Sequence, residues 1–248
     1  MSVYSIYFSP TGGTKKVADV LASCFDHASQ VDITVHSVAP ELTNEDVCIV
    51  AVPSFGGRVP GAAVERIRQL RGNGAKAVAV VVYGNRDFDD TMLELKNELE
   101  NAGFAVAAGV AAVAEHSIMH QFGAGRPDPS DETELRSFGE KIKEKIAAGQ
   151  IGVQVPGKEP YREYGGVPMK PSAGSKCTAC GLCAKECPVG AIDVKNPKGV
   201  NKKKCISCMR CISVCPKKAR KVSPLLLTIA GLKMKKNCSE RKKNSLYL

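Results

Sequence analysis

A sixteen-residue pattern occurs twice in this chain: CTACGLCAKECPVGAI, starting at Cys177, returns as CISCMRCISVCPKKAR, starting at Cys205, an offset of 28. Each copy reads CxxCxxCxxxCP. Nothing else constrains the fold as strongly, because eight thiols at mirrored spacing must converge on something. Of the 11 cysteines, nine lie between Cys177 and Cys238, and only Cys24 and Cys48 precede them. The start, MSVYSIYFSP, has no basic stretch before an apolar run and enters a strand pattern at once, so we expect no secretory signal and a cytoplasmic setting. In a reducing compartment such cysteine density argues for metal ligation over disulfides. Three cysteines at intervals of three, in a tight loop, can aim thiolates at three irons of one cubane. The fourth, carried on the following segment, points away.

This is the bacterial iron–sulfur spacing, in which the fourth cysteine of each run ligates the other cluster of a two-cluster ferredoxin. By that crossing, one [4Fe-4S] cluster takes Cys177, Cys180, Cys183 and Cys215, and the other takes Cys205, Cys208, Cys211 and Cys187. Pro188 and Pro216 follow the crossing cysteines, where their fixed φ helps turn the chain. A single zinc on Cys177, Cys180, Cys205 and Cys208 is the competing reading. It leaves four cysteines at mirrored spacing without a role. Clusters that only staple a domain too small for its own core are the other alternative.

The remainder of the 248 residues has a different character. Residues 1–150 carry 14 Lys/Arg against 20 Asp/Glu, whereas residues 151–248 carry 21 against 5, so the net +10 belongs to the C-terminal part. Short β-branched or apolar runs at Val3–Phe8, Val31–Val35, Val47–Val52, Ala75–Val82 and Phe104–Val113 predict five strands buried on both faces of a parallel sheet. Between them, apolar residues recur at helical spacing: Val17, Leu21, Cys24 and Phe25; Val64, Ile67 and Leu70; Met92, Leu95 and Leu99; Leu135, Phe138, Ile142 and Ile146. Asp131 and Glu134 have N-cap and N3 spacing for the last helix, and Gly149 sits past its end. Segment 36–46 offers no helix. The reading is an α/β doubly wound domain over 1–150, a linker over 151–176 pinned by Tyr161 and Tyr164, a small α+β cysteine domain over 177–223, and a solvated basic tail over 224–248. The tail's apolar run, Pro224–Leu232, is far short of the about 20 residues a spanning helix needs.

Directly after the first strand comes SPTGGT, Ser9 to Thr14, running into the first helix. Hydroxyls of Ser9, Thr11 and Thr14, flexible Gly12 and Gly13, and free amides at a helix N-terminus make a cradle for a terminal phosphate. A capped turn without ligand is the plainer reading. No P-loop lysine ending and no strand-following GxGxxG is present; Gly72, Gly74 and Ala77 fit GxGxxA but run into a strand. Here the chain resembles the flavodoxin family, whose phosphate loop has the form (S/T)xTGxT, over residues 1–148. The resemblance implies FMN at the carboxyl ends of a sheet in the order 2-1-3-4-5. It makes Ser9, Thr11, Gly12, Gly13 and Thr14 phosphate ligands. It sets Phe55 or Tyr83 against the isoalloxazine ring, with Gly56, Gly84 and Asn85 offering contacts to its polar edge. For the two aromatics, ordinary packing is the alternative. With the cysteines, the whole chain resembles the family of fused flavodoxin-ferredoxin proteins.

The expected function is electron transfer between two [4Fe-4S] clusters and FMN, with an acidic redox partner drawn by the basic half. A ferredoxin-type carrier whose first domain lacks FMN, and a regulatory module gripping nucleic acid, remain as rivals. No residue is placed as a catalytic acid or base. His116 and His120, in EHSIMH, read as cleft loop residues and not as a helical HExxH metal site. Arg58 and Arg86 sit in cleft loops. Cys24 and Cys48 read as buried thiols. Cys238, among lysines, would be acidified if the tail were ordered.

Overall fold

The computed structural model describes residues 1–36 and 39–248. In chain order its elements are β1 (Val3–Tyr7), α1 (Gly13–Ala22), β2 (Ala28–Asp32), β3 (Val47–Pro53), α2 (Gly61–Ile67), β4 (Lys76–Tyr83), α3 (Thr91–Asn101), β5 (Ala105–Val113) and α4 (Pro129–Ala147). There follow β6 (Ser172–Ala173), α5 (Leu182–Lys185), α6 (Arg210–Ser213), β7 (Arg220–Lys221), α7 (Pro224–Cys238) and β8 (Ser245–Tyr247).

The first five strands are parallel and lie in the order β2-β1-β3-β4-β5. Strand residues alternate between two cores, as the pleat requires. Val78, Val80 and Val82 of β4 meet Val17 and Leu21 of α1 and Leu135 and Ile142 of α4. Ala77, Ala79 and Val81 meet Ile67 of α2 and Leu95 and Leu99 of α3. Leu95, Leu99 and Leu135 are wholly buried, so truncating any of them to Ala would cost about 2–5 kcal/mol. The chain winds one way from β1 to β2 and the other way from β1 to β3, which opens a crevice beyond the carboxyl ends of β1 and β3.

The details depart from the sequence reading in three places. Strand β2 lies three residues earlier than Val31–Val35, and as an edge strand it is largely exposed and not buried on both faces. Helix α4 is capped by Asp128, not Asp131: Asp128 accepts from the amides of Ser130 and Asp131, Pro129 fills the first helical position, and the Asp131 carboxylate reaches back to the Asp128 amide at 3.0 Å. That reciprocal box outcompetes the Asp131/Glu134 pair, since proline is harmless where the amide is unpaired anyway. The tail is not solvated. It forms α7 and then β8, which pairs antiparallel with β5 as a sixth strand. Of segment 36–46, Ser37 and Val38 lie outside the described residues; residues 39–46 contain no helix.

The 151–176 segment crosses the α3 side of the sheet. Val153 and Val155 pack on the core there, and the Asn97 amide donates to the Tyr161 hydroxyl at 2.7 Å. Asp90 accepts from the amides of Lys158 and Arg162. The chain then enters the cysteine domain, in which β6 and β7 pair antiparallel and α5 and α6 are single turns. That domain is fastened to the first by the Arg66 guanidinium donating to the Pro188 carbonyl at 2.6 Å, and through α7 by packing of Met169, Met209 and Val222 with Leu227 and Ala230.

Candidate metal centres and cofactor cleft

The sixteen-residue repeat is also a repeat of backbone conformation. Ala179 and Ser207 have φ of 56°, Gly181 and Met209 have 79° and 62°, and Gly190 and Lys218 have 58° and 47°. Each pair is separated by the offset of the repeat. Left-handed residues between the cysteines curl each CxxCxxC run around one cavity, a conformation that costs about 1–2 kcal/mol at every non-glycine position. The structure gathers the eight cysteines into two cavities of similar size. One, about 350 Å³ including its mouth, is lined by Cys177, Cys180, Cys183 and Cys215. The other, about 330 Å³, is lined by Cys187, Cys205, Cys208 and Cys211. Each cavity thus takes three cysteines from one copy and the fourth from the other. Among the described residues, no three Cys, His, Asp or Glu side chains converge on a single point. The thiols instead surround a volume, which suits a polynuclear group.

The crossing cysteines share one device. Cys187 Sγ accepts the Ala191 amide at 3.2 Å, and Cys215 Sγ accepts the Ala219 amide at 3.3 Å. The second bond holds the Cys215 thiol below its ordinary pKa. Burial pushes Cys208 up to about 12 and Cys211 up to about 11, so these thiols ionise when a metal compensates the charge. Arg220 is 3% exposed; its Nε donates to Cys183 Sγ at 3.3 Å, while its other nitrogens bind the carbonyls of Pro171, Pro197 and Gly199. Nothing in the sequence distinguished this arginine from the surrounding basic residues.

The crevice at the topological switch is a cleft of about 1160 Å³ including its open mouth, several times the volume of either cysteine cavity. Its walls are the TGGT loop (Thr11, Gly13, Thr14), the turn after β3 (Ser54, Phe55, Gly56), the turn after β4 (Tyr83, Gly84, Arg86) and the loop after β5 (His116 to Met119). The far wall comes from the end of the linker (Val167, Met169) and the cysteine domain (Ile206, Ser207, Cys208), with Met234 of α7. Gly12 adopts φ 95° at the α1 N-cap, and Gly13 brings the backbone against Ala114, where an added Cβ would touch at 3.4 Å. The α1 N-cap, Gly12, has no side chain to bond the first amides; Ser9 takes that of Lys15, and those of Gly13 and Thr14 face the loop for an anion. Ser9 stands beneath the loop, with its hydroxyl accepting the Lys15 amide at 2.9 Å and its own amide donating to Thr34 Oγ1 at 2.7 Å. Thr11, Gly13 and Thr14 line the cleft itself.

The remaining candidates separate. Phe55 is half-buried at the cleft, held by a tight turn in which its amide and carbonyl pair with those of Arg58. Tyr83 is packed edgewise on Phe88, and its hydroxyl donates to the Lys243 carbonyl at 3.0 Å; burial raises its pKa to about 12. Gly84 is required by close approach, since a Cβ there would lie 2.7 Å from the His116 ring. Asn85 points away from the cleft: its carboxamide donates to the carbonyls of Cys238 and Glu240 and accepts the Lys242 amide. Arg58 is tied up by Glu94 and the Arg162 carbonyl, and Arg86 by Asp89. Cys238 is buried, so its pKa is raised and not lowered, because α7 turns it inward from the lysines.

Two further residues belong to the cleft region. His116 Nδ1 accepts the amides of Ile118 (3.1 Å) and Met119 (3.2 Å), which fixes the proton on Nε2 and leaves that atom as a donor; burial lowers its pKa to about 4. His120, four residues on, is exposed and pairs instead with Glu115 at 2.7 Å. Tyr164 of the linker stacks over Gly56, where a Cβ would lie 3.1 Å from its ring, and partial burial there raises its pKa.

Residues 176–219 match the family of 4Fe-4S dicluster domains. Over 49 residues the chain is 47% identical to a ferredoxin-like protein in the nif region of Sinorhizobium fredii, a match covering 17% of this chain and 77% of that one. Over 44 residues it is 43% identical to one subunit of an ion-translocating oxidoreductase complex of Methanosarcina acetivorans, covering 17% of each chain. Among solved structures it is similar to an archaeal flavodoxin (14% identity, TM-score 0.43) and to the Streptococcus pneumoniae flavodoxin (17%, 0.40), across 59% and 58% of this chain and 99% of each of those. The 2-1-3-4-5 parallel sheet with helices on both faces defines a flavodoxin-like domain. Through the segment fused to it, the chain belongs to the 4Fe-4S dicluster ferredoxin family.

Proposed function

We propose that this chain passes electrons between two [4Fe-4S] clusters and an FMN held in the cleft. The observation that carries the reading is a shared wall: Cys208 lines both the second cysteine cavity and the cleft beside the TGGT loop. When bound, the clusters exchange single electrons and the flavin stores two, so the pairing converts one traffic into the other.

The residues assign an order. Cys177, Cys180, Cys183 and Cys215 hold the outer cluster, where Cys180 is exposed next to exposed Leu182 and Val194. Lysines 176, 185, 195, 198 and 202–204 cluster in the same part of the sequence and favour an acidic partner there. Cys205, Cys208, Cys211 and Cys187 hold the inner cluster against the cleft. Thr11, Gly13 and Thr14 with the α1 amides receive the phosphate, Ser9 and Gly12 shape that loop, and Phe55 with Gly56 and Gly84 borders the ring. Among the described residues no helix is long and apolar enough to cross a membrane, and thiols reserved for metal suit the cytoplasm.

The test is anaerobic purification followed by iron, sulfide and released-flavin assays, with about eight iron, eight sulfide and one FMN per chain expected. Cys180→Ser or Cys208→Ser should then abolish flavin reduction by an external low-potential donor while FMN stays bound. Unchanged reduction in both variants, or zinc in place of iron, refutes the proposal.

A further inference from the structure

Helix α7 is apolar on two opposite faces. Leu227, Ala230 and Met234 turn inward onto Met119, Phe122, Met169 and Met209, and Cys238 is buried. The other face carries Leu225 (69% exposed), Ile229 (45%) and Leu232 (70%), with Leu226 (41%) at its margin. Their spacing of four and three residues makes a single ridge. Lys236 occupies the next position on that ridge, and Lys233 and Lys235 flank it; α7 contains no acidic residue. The helix is not a frayed end. Val222 is buried just before it, and after it Arg241 bonds Asp128 and Asp131 before β8 joins the sheet.

We propose that this face seats the protein peripherally on an anionic lipid surface, with the aliphatic ridge in the boundary between headgroups and acyl chains and the lysines on the phosphates. Charge sets the choice of surface, since three lysines without a carboxylate crown an otherwise bare apolar ridge. Residue type sets lipid above protein. The ridge is purely aliphatic, without the Trp, Tyr or Arg that anchor protein interfaces, and long lysine stems reach headgroups while their methylenes stay in the apolar layer. Because Met234 of the same helix lines the cleft, the seat would hold the cleft beside the lipid surface.

The test is co-sedimentation of the full, cofactor-loaded chain with vesicles of phosphatidylcholine alone or with about 30 mol% phosphatidylglycerol, at about 0.1 M salt. Binding to the anionic vesicles is expected to be at least about tenfold stronger than to the neutral ones. Leu225→Ser with Leu232→Ser should lower anionic binding about tenfold or more while leaving the visible spectrum and melting temperature in place. Lys233→Gln with Lys236→Gln should remove the preference for anionic lipid. Three results would overturn the proposal: no binding to anionic vesicles, binding indifferent to the serine pair, or a dimer in sedimentation velocity that the serine pair dissolves. The last would assign the face to a second copy of the chain.

Discussion

Arg220 offers the sharpest perturbation. Its guanidinium is buried, and its Nε lies 3.3 Å from Cys183 Sγ, a ligand of the proposed outer cluster. Reduction adds one negative charge there, and a neighbouring positive charge favours it. At an effective dielectric of 20 and a charge separation of about 5 Å, the interaction is worth about 3 kcal/mol, which at 59 mV per tenfold is about 130 mV. Arg220→Gln should therefore lower the potential of the Cys183 cluster by about 50–130 mV, the smaller figure allowing for relaxation and entering water. Anaerobic redox titration followed by electron paramagnetic resonance reads the shift, and the second cluster should move less. Arg220→Lys is the control. It keeps the charge but forfeits the fork that binds the Pro171, Pro197 and Gly199 carbonyls. If the lysine variant shifts as far as the glutamine variant, or the glutamine variant moves by less than about 20 mV, the electrostatic reasoning fails and Arg220 is only a brace.

Three further outcomes follow from buried polar groups. His116 has a folded pKa of about 4 against about 6.5 unfolded, so its stability contribution is full above pH 6.5 and is lost as the pH falls towards 4; His116→Gln should flatten that decline, about 3 kcal/mol at most, in urea melts from pH 7 to 4.5. Asp131→Asn leaves Arg126, 4% exposed, without its buried carboxylate, and should cost about 3–5 kcal/mol by equilibrium unfolding; a loss under about 1 kcal/mol would show that Asn244 and water replace it. Asn85→Ala removes three bonds to the tail and should speed amide exchange over residues 239–248 by about tenfold or more, with the sheet core unchanged.

What could be read from the sequence was what is locally determined. The eight thiols carry their own spacing rule, and the parallel strands β1, β3, β4 and β5 are continuous apolar runs too short for helices and rich in valine. The misplacement of β2 has the opposite cause: an edge strand buries little, so the apolar Val31 and Ile33 near its end drew the expectation three residues too far. Strand β8 is three residues long and has no period to detect. Its register comes from β5 and from Asn244 accepting the Val113 amide at 2.9 Å, across 131 residues of sequence. Asn85 was drawn to the cleft by its place after β4, yet its three partners in the tail lie more than 150 residues away. Composition could not show that Arg220, alone among the basic residues near it, faces a thiol.

The asymmetry of the two cysteine runs was written in their differences, which the matching cysteines obscure. Aligned at the offset of 28, Thr178 corresponds to Ile206, Gly181 to Met209 and Leu182 to Arg210. The first copy uses glycine where the backbone turns left-handed, the unstrained choice, and leaves Leu182 exposed. The second places methionine in the same conformation, at φ 62°, and accepts about 1–2 kcal/mol of strain. That cost is offset by burial, because Met209 packs with Met169 and Val222 under α7, which at about 25 cal/mol per Å² recovers about 2 kcal/mol for a methionine side chain. Ile206 closes the cleft wall, and Arg210 bonds Glu186 and reaches the Pro10 carbonyl beside the TGGT loop. Chemically equivalent cages are thus given different neighbours by three substitutions, and those substitutions turn the second cage towards the flavodoxin-like domain and leave the first to the solvent.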